Sequence, residues 1–468
     1  MASIKIIAIS LGPSGLGLYS IIRQAMFTFG SVGSGGQTAI VQGISSRDSL
    51  ERDTYIRTVF WLFVCGTFIT VALIQAFSPL ISTFIFRSNS DQYVSLVRWI
   101  ALPVVLFNTY IFLKSLLNGY RAIGMLAIVE IIGPFVTLLI IYPVCIWVGK
   151  GYALGFVWML SVSHLVMIIF SFYVAKKNGW VAPIFFKESA KIDKLSSHAF
   201  FKFAGTTLVI GLLSAGSLLF IRAMIIGNGG LNEAGLFDVA WMLSSAYVMV
   251  ILGSFGTYYM PTLTGTSNIS DRLVLIHQVL RLSTLLMIPL IVTAIMLKPL
   301  LVNVLFSSEF LPSLEMLRWM LIGDFFKIIS WVFAIPVLAN ADMRVYFWIE
   351  AFWNIGFVLL SSLAIYVFEQ IQGISIAFIF LYACTIILYV KYAQRHYDFR
   401  LSLDLLLPWV GGFFIVVFAS WFTWNDTAVS WPTSFALIMT SLLFVWLMLK
   451  NDERISIISR FRLIWHSA

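Results

Sequence analysis

Residues 123–148 read IGMLAIVEIIGPFVTLLIIYPVCIWV, a stretch in which Glu130 is the only side chain charged at neutral pH. A helix of this length rises about 39 Å, enough to cross the roughly 30 Å hydrocarbon core of a bilayer. A charge within such a stretch is costly, and a backbone in lipid must satisfy its own hydrogen bonds. The stretch therefore predicts a membrane-spanning α-helix.

Similar apolar stretches follow one another along the whole chain of 468 residues. Hydrophobic residues make up 60% and charged residues 11% of the sequence, with a mean hydropathy of +0.95, whereas soluble domains carry roughly one quarter charged residues. We predict an all-α polytopic membrane protein with about fourteen spans, the first of them short and interrupted. The predicted spans are 2–18, 20–43, 59–84, 95–118, 123–148, 152–175, 203–226, 236–262, 278–305, 318–340, 345–368, 371–391, 404–424 and 432–449.

The net charge of +9 comes from Lys and Arg in short segments between the spans and at the C-terminus. This distribution follows the rule that cytoplasmic loops are basic, and it predicts cytoplasmic N- and C-termini. It does not form a basic face for nucleic acid, so we expect no nucleic-acid partner. Cys65, Cys145 and Cys384 lie within apolar runs without a CxxC pair, which predicts neither a metal site nor a disulfide framework, and we expect no cofactor.

The two halves of the sequence resemble each other at an offset of about 220 residues. Gly15-Leu16 recurs as Gly235-Leu236, and Glu130 recurs as Glu350. Because each half holds six spans, both enter the membrane from the same side, and the repeat is parallel with a pseudo-twofold axis along the membrane normal. We predict four regions: a six-helix lobe at 1–175, a basic cytoplasmic linker at 176–202, a second six-helix lobe at 203–392, and two extra spans with a basic cytoplasmic tail at 393–468.

Two ionisable residues lie deep in the tenth predicted span. Asp324 and Lys327 are three residues apart and share one helix face. They form either a local ion pair that tolerates burial or part of a polar cavity. The equivalent positions in the first half are the apolar Val104 and Phe107, so the scaffold does not require the charged pair. We therefore interpret Asp324 as a cavity or coupling residue and Lys327 as a substrate-binding residue.

Arg23 and Lys114 are further candidates for substrate binding. Lys114 belongs to a stripe at helical spacing with Tyr110, Asn118 and Arg121. It is either a snorkelling lysine or part of a polar face that points away from lipid. The guanidinium of Arg23 either anchors its helix at the membrane interface or binds a phosphate bidentately.

Four other charged residues are assigned structural positions. Arg222 and Asp238 lie close to predicted outer ends of spans, where an interfacial location is expected. Glu130 and Glu350 are equivalent residues of the two halves and are interpreted as scaffold residues. Glu130 is expected to pair with the neighbouring Arg121, and Glu350 with Arg344.

The stretch SLGPSGLGL at 10–18, followed by Arg23-Gln24, resembles the opening of Wzx-type O-antigen translocases and lipid III flippases. These form the polysaccharide branch of the multidrug/oligosaccharidyl-lipid/polysaccharide superfamily. The resemblance continues at Glu233-Ala234-Gly235-Leu236, at 260–263 and at 310–350, where Asp324 and Lys327 keep the pattern. It extends over most of residues 3–392, and it matches Arg23 but not Lys114.

The resemblance implies a MATE-like fold of two six-helix lobes that open alternately to each face of the membrane. It implies transport of an undecaprenyl-pyrophosphate-linked oligosaccharide from the cytoplasmic to the periplasmic leaflet. Polysaccharide polymerase and chain-length regulator proteins are the implied protein partners, and membrane lipid surrounds the chain. Three alternatives remain: a cation-coupled multidrug exporter of the same fold, a lipid II flippase, and a polytopic O-antigen polymerase or ligase. The latter enzymes commonly carry a large external loop, whereas the outer loops predicted here are short.

Overall fold

The computed structural model of the chain describes residues 1–185, 193–266, 268–424 and 428–454. Lys187 and Lys191 of the predicted linker, and Arg460 and Arg462 of the predicted tail, lie outside the described residues. Within the described ranges the chain is almost entirely helical and contains no β-strand. The prediction of an all-α membrane protein is confirmed.

Sixteen α-helices are numbered here in chain order over the described ranges. Their bounds are α1 Ala2–Phe29, α2 Ser31–Ser45, α3 Ser49–Ala76, α4 Ser78–Phe86, α5 Asp91–Gly119, α6 Ile123–Gly149, α7 Leu154–Lys177, α8 Ala182–Phe185, α9 Lys194–Ser254, α10 Met260–Gly265, α11 Ile269–Leu305, α12 Leu314–Ala339, α13 Met343–Tyr366, α14 Gly373–Tyr397, α15 Leu403–Phe422 and α16 Trp431–Met448. A π-helix at Phe255–Tyr259 joins α9 to α10, and a 3₁₀-helix at Ser308–Ser313 precedes α12.

Twelve helices among the described residues are long and apolar enough to cross a membrane. Two of them bend sharply at a glycine with a positive φ angle, Gly12 (φ 63°, ψ −165°) in α1 and Gly230 (φ 78°, ψ −175°) in α9. Glycine allows this conformation because it has no Cβ atom. The two bends divide the twelve helices into fourteen segments, in agreement with the predicted count.

The first predicted boundary is wrong, because the break comes at Gly12 and not near residue 19. Pro13 follows the bend and begins the next helical segment, a position that suits its fixed φ angle and missing N–H donor. The segment at 13–29 then continues past Gly30 into α2. The second predicted span therefore begins about seven residues earlier than the apolar pattern indicated.

The spanning part of α9, Ala204–Ser254, is 51 residues long, which corresponds to about 76 Å of helix and exceeds a single membrane crossing. The whole of α9 consists of a first arm at 194–229 and a second arm at 231–254. The arms meet at Gly230, and residues 231–238 fold back against the first arm as a short antiparallel hairpin. This geometry brings residues on opposite sides of Gly230 into contact.

The chain divides into two compact units. The first contains Met1–Asp238, Leu305–Glu309 and Glu350–Ile371, and within it α5 packs against α2, α3 and α7, while α1 packs against α6. The second contains Val239–Val304, Phe310–Ile349 and Gln372–Ala468, and within it α12 packs against α14 and α15, and α15 packs against α16. Most side chains of α12 are buried, so its charged residues require partners.

The internal repeat is visible as a reciprocal contact within the first unit. A Cβ atom at Gly17 would overlap the main-chain oxygen of Leu231, and a Cβ atom at Gly235 would overlap the main-chain oxygen of Pro13. Gly17 and Gly235 are 218 positions apart, and so are Pro13 and Leu231. The same offset separates the two bends at Gly12 and Gly230. Two segments related by a two-fold axis make reciprocal contacts of this kind.

The structure corrects the residue pairing in this part of the repeat. The sequence comparison paired Gly15 with Gly235, whereas the contacts pair Gly17 with Gly235. The offset is thus 218 at the bends and reaches 220 further along the chain, where Glu130 recurs as Glu350.

Candidate functional site: charged residues within the spans

Asp324 on α12 is fully buried and accepts hydrogen bonds from two hydroxyl groups on the second arm of α9. The Ser244 hydroxyl lies 3.0 and 2.9 Å from the two carboxylate oxygens, and the Tyr247 hydroxyl donates to Oδ2 at 2.7 Å. Hydrogen bonds to a carboxylate stabilise its charged form. Asp324 is therefore held in place by the second arm of α9.

Lys327 lies one turn further along α12 and is also buried. Its Nζ is 3.9 Å from Oδ1 of Asp324, which is an ion pair but too long for a hydrogen bond. The ammonium group is 5.6 Å from the ring centroid of Phe378 on α14, and Trp241 contacts the same ring edge-on at 5.8 Å. Asp324 and Lys327 share one helix face, as the spacing predicted.

The sequence did not reveal Ser244 and Tyr247 as partners of Asp324. Both lie on a span that is apolar on most sides, and their three-residue spacing places them on one face. That spacing was the only available signal. It does not identify the residue that the two hydroxyls contact.

Arg23 lies on the helical segment at 13–29 and is partly buried. Its guanidinium lies 5.6 Å from the ring centroid of Tyr19, one turn earlier. Among the described residues, no carboxylate lies within ion-pair distance of it and no acceptor is hydrogen-bonded to it. Its five N–H donors are therefore able to bind an anion.

Lys114, by contrast, has a carboxylate partner. Its Nζ lies 2.5 Å from Oε1 of Glu130, and the hydroxyl of Tyr110 donates to the same oxygen at 2.7 Å. The expectation that Glu130 pairs with Arg121 is wrong. Arg121 lies in the turn after α5, where its φ angle is 58°. Lys114 instead lies one turn from Tyr110, and both side chains contact Glu130 of α6.

Arg222 and Asp238 form a buried ion pair and do not snorkel to the protein surface, a pairing that the sequence did not predict. Their exposed fractions are 3% and 1%, and Nε and Nη2 of Arg222 donate to Oδ1 of Asp238 at 2.8 and 2.5 Å. The physical reason is the hairpin of α9. Each residue lies eight positions from Gly230 on a different arm, so the two arms bring them together.

The predicted site residues fall into both units. Arg23 and Lys114 belong to the first unit, and Asp324 and Lys327 belong to the second. In the part of the chain that the structure describes, no group of three or more His, Cys, Asp or Glu side chains could hold a metal ion.

These features define a class: a multi-span membrane protein with a duplicated helical bundle and charged residues inside its spans. Solved transporters share the fold. An inward-facing multidrug resistance MATE family transporter of the MOP superfamily superposes with a TM-score of 0.69 at 14% identity, covering 85% of this chain and 93% of that chain. The lipid II flippase MurJ in an inward closed conformation superposes with a TM-score of 0.69 at 14% identity, covering 96% and 95%.

The chain belongs to the polysaccharide biosynthesis protein family, which matches residues 6–315. It is 26% identical over 353 residues to the lipid III flippase of Escherichia coli (strain K12), covering 73% of this chain and 81% of that protein. The lipid III flippase of Shigella flexneri matches with the same identity and coverage. The resemblance to the Wzx-type translocase and lipid III flippase family is confirmed.

Proposed function

We propose that this chain is a flippase that moves an undecaprenyl-pyrophosphate-linked oligosaccharide, an O-antigen or related surface polysaccharide unit, from the cytoplasmic to the periplasmic leaflet by alternating access. The protein lies in the bacterial inner membrane in this proposal, with both termini in the cytoplasm. The observation that carries the proposal is the similarity to lipid III flippases over 353 residues. The family match at residues 6–315 includes Arg23.

The physical task of a flippase explains the charged residues. A pyrophosphate and its sugars cannot cross hydrocarbon unaided, because their polar groups would lose hydration without compensation. In this proposal Arg23 offsets the pyrophosphate charge, with further contributions from Lys327 and Lys114. The absence of a carboxylate beside Arg23 in the described residues supports its role.

Asp324 is proposed as the coupling residue. It either modulates the charge of Lys327 or takes up a proton, so that transport is coupled to the proton gradient. Its hydrogen bonds to Ser244 and Tyr247 support this role, because a change in its charge alters contacts between two helices. Polysaccharide polymerase and chain-length regulator proteins are the proposed protein partners.

A cation-coupled multidrug exporter is the second candidate, favoured by the structural similarity to MATE transporters. An exporter of drugs is expected to have a more apolar or acidic pocket, whereas Arg23 and Lys327 are both basic. An O-antigen polymerase or ligase is the third candidate. Its substrate is extended or transferred instead of being moved intact between leaflets.

The test combines complementation with reconstitution. The chain is expressed in a bacterial strain that lacks its lipid-linked oligosaccharide flippase, and surface polysaccharide is measured. Restored polysaccharide is expected, with Arg23→Gln giving much less at equal expression. Accumulation of cytoplasm-facing lipid-linked sugar despite good expression, together with extrusion of cationic dyes, would favour the drug exporter.

A further inference from the structure

Three hydrogen bonds fasten the segment at 13–29 to the first arm of α9. Nε2 of Gln24 and the hydroxyl of Thr28 each donate to the main-chain oxygen of Ala215 at 2.9 Å. Nη1 of Arg222 donates to Oε1 of Gln24, also at 2.9 Å. The amide of Gln24 thus both donates and accepts a hydrogen bond, and both partners lie on the first arm of α9.

The anchor that holds Gln24 is itself rigid. Arg222 is buried and bonded through two other nitrogens to Asp238 on the second arm of α9. A buried ion pair with several hydrogen bonds costs much free energy to break, because each charge would be left without a partner. Gln24 is therefore bound to a fixed point of the hairpin.

The position of Gln24 determines the direction of Arg23. Gly17, Gln24 and Thr28 are separated by seven and four residues and share the helix face that contacts α9. Arg23 precedes Gln24 by one residue and lies about 100° around the helix axis. A rotation of the segment that releases Gln24 would turn the Arg23 guanidinium by the same angle.

The face that bears Arg23 is held mainly by apolar contacts. Tyr19 contacts Phe156 with ring centroids 5.4 Å apart, and Phe27 contacts Phe107 edge-on at 5.2 Å. Aromatic pairs prefer certain orientations, but they tolerate larger angular changes than a hydrogen bond does. The directional bonds of Gln24 and Thr28 supply the rotational constraint.

We propose that Gln24, held by Arg222, is a positioning residue that orients the Arg23 guanidinium toward the pyrophosphate of the transported lipid. The proposal rests on the proposed function, in which Arg23 binds that pyrophosphate. Gln24 itself does not contact the substrate. Its contribution is to keep the five donors of Arg23 in a fixed direction.

The test measures flipping by the full chain in vesicles of phosphatidylethanolamine and phosphatidylglycerol. The probe is undecaprenyl-pyrophosphate-linked N-acetylglucosamine with a fluorophore on the sugar, and protection from a membrane-impermeant quencher reports transport. Half-saturation and maximal rate are obtained from a series of probe densities. Gln24→Leu is expected to raise the probe density at half-saturation about tenfold, because a misoriented Arg23 would lose one hydrogen bond to the charged pyrophosphate. The maximal rate per folded protein should not fall.

A matched control is Gln92→Leu. Nε2 of Gln92 also donates to a main-chain oxygen, that of Gly151 at 3.1 Å, but Gln92 is exposed and has no arginine partner. Its replacement is expected to leave both parameters unchanged. If Gln24→Leu does not fold, the triple variant Gln24→Leu, Arg222→Met, Asp238→Leu removes the constraint without leaving a buried charge unpaired.

The outcomes separate the two proposals. Half-saturation that stays at the wild-type value in Gln24→Leu or the triple variant, while Arg23→Gln raises it, overturns the positioning role alone. A lower maximal rate with unchanged half-saturation also overturns it, because that result marks a purely structural residue. Wild-type protein that does not flip the probe counts against the proposed function itself.

Discussion

Gly17 and Gly235 make the same contact from the two halves of the repeat, each lying against the main chain of a residue next to the other half's bend. Gly17 contacts the main-chain oxygen of Leu231, and Gly235 contacts that of Pro13. Neither glycine has space for a Cβ atom, because the neighbouring atoms belong to the backbone and not to a movable side chain. The contact therefore fixes how closely the two segments approach.

Alanine at either glycine is expected to reduce stability by similar amounts, about 1–3 kcal/mol or more, because a methyl group in a filled site forces the backbones apart. Thermal unfolding in detergent and the yield of monodisperse protein would measure the effect. The control is Gly211→Ala, since Gly211 is helical and has open space around its Cβ position. There alanine is expected to be neutral or to stabilise by about 0.5–1 kcal/mol. Unequal effects at positions 17 and 235 would contradict the reciprocal contact.

The spans could be predicted from the sequence because the signal is local. The stretch at 123–148 needs only length and apolar composition to be identified, and α6 follows it closely as Ile123–Gly149. The bends were located less well. Gly12 and Gly15 lie in the same Gly-rich stretch, and an apolar pattern does not indicate which glycine takes the positive φ angle.

The contacts of the charged residues were harder to predict because they depend on which helix faces meet. The second arm of α9 is apolar on most sides, so its sequence does not single out Ser244 and Tyr247 as the face that contacts Asp324. The ion pair of Arg222 and Asp238 depends on the bend at Gly230, which the sequence treated as a loop between two spans. The partners of these charged residues depend on the fold, and the sequence did not indicate them.

Removal of one member of the Arg222 and Asp238 pair is expected to destabilise the first unit strongly. Asp238→Ala leaves a buried guanidinium without its carboxylate, which costs about 3–5 kcal/mol, while the double variant Arg222→Met, Asp238→Leu is expected to recover most of the loss. Apparent melting temperatures of the three proteins would give the comparison. A double variant as unstable as Asp238→Ala would show that the charge itself is required.

The start of α9 is expected to depend on pH through Asp193, a half-buried residue outside the spans. The main-chain N–H groups of Ser196 and Leu195 lower the pKa of its carboxyl group, and Ser196 N lies 2.8 Å from Oδ2. A lowered folded-state pKa stabilises the helix end above the unfolded value of about 4, and this stabilisation is lost as the pH falls further. Protection of the Ser196 amide from hydrogen exchange should decline with acid in the wild type. It should be independent of pH in Asp193→Asn, which keeps an acceptor oxygen without the titration.

Replacement of Lys114 is expected to affect substrate binding less than replacement of Arg23. Glu130 already offsets the charge of Lys114 at 2.5 Å, whereas no described carboxylate lies within ion-pair distance of Arg23. In the flipping assay Arg23→Gln should raise half-saturation about tenfold, as expected for one bidentate contact to phosphate, and Lys114→Gln less than threefold. An equal or larger effect at Lys114 would mean that its pairing with Glu130 is exchanged for substrate during transport.

Asp324→Asn tests the proposed coupling role and nearly preserves the size of the side chain. The amide oxygen can still accept hydrogen bonds from Ser244 and Tyr247, but the group can no longer gain or lose a proton. If Asp324 couples transport to protons, the wild-type flipping rate should rise with an imposed proton gradient, while the rate of the variant should stay at its gradient-free value. Ser244→Ala is the matched control, because it removes one hydrogen bond to Asp324 and leaves the carboxylate able to titrate. It should keep a gradient response. Full flipping by Asp324→Asn at every imposed gradient would exclude the coupling role.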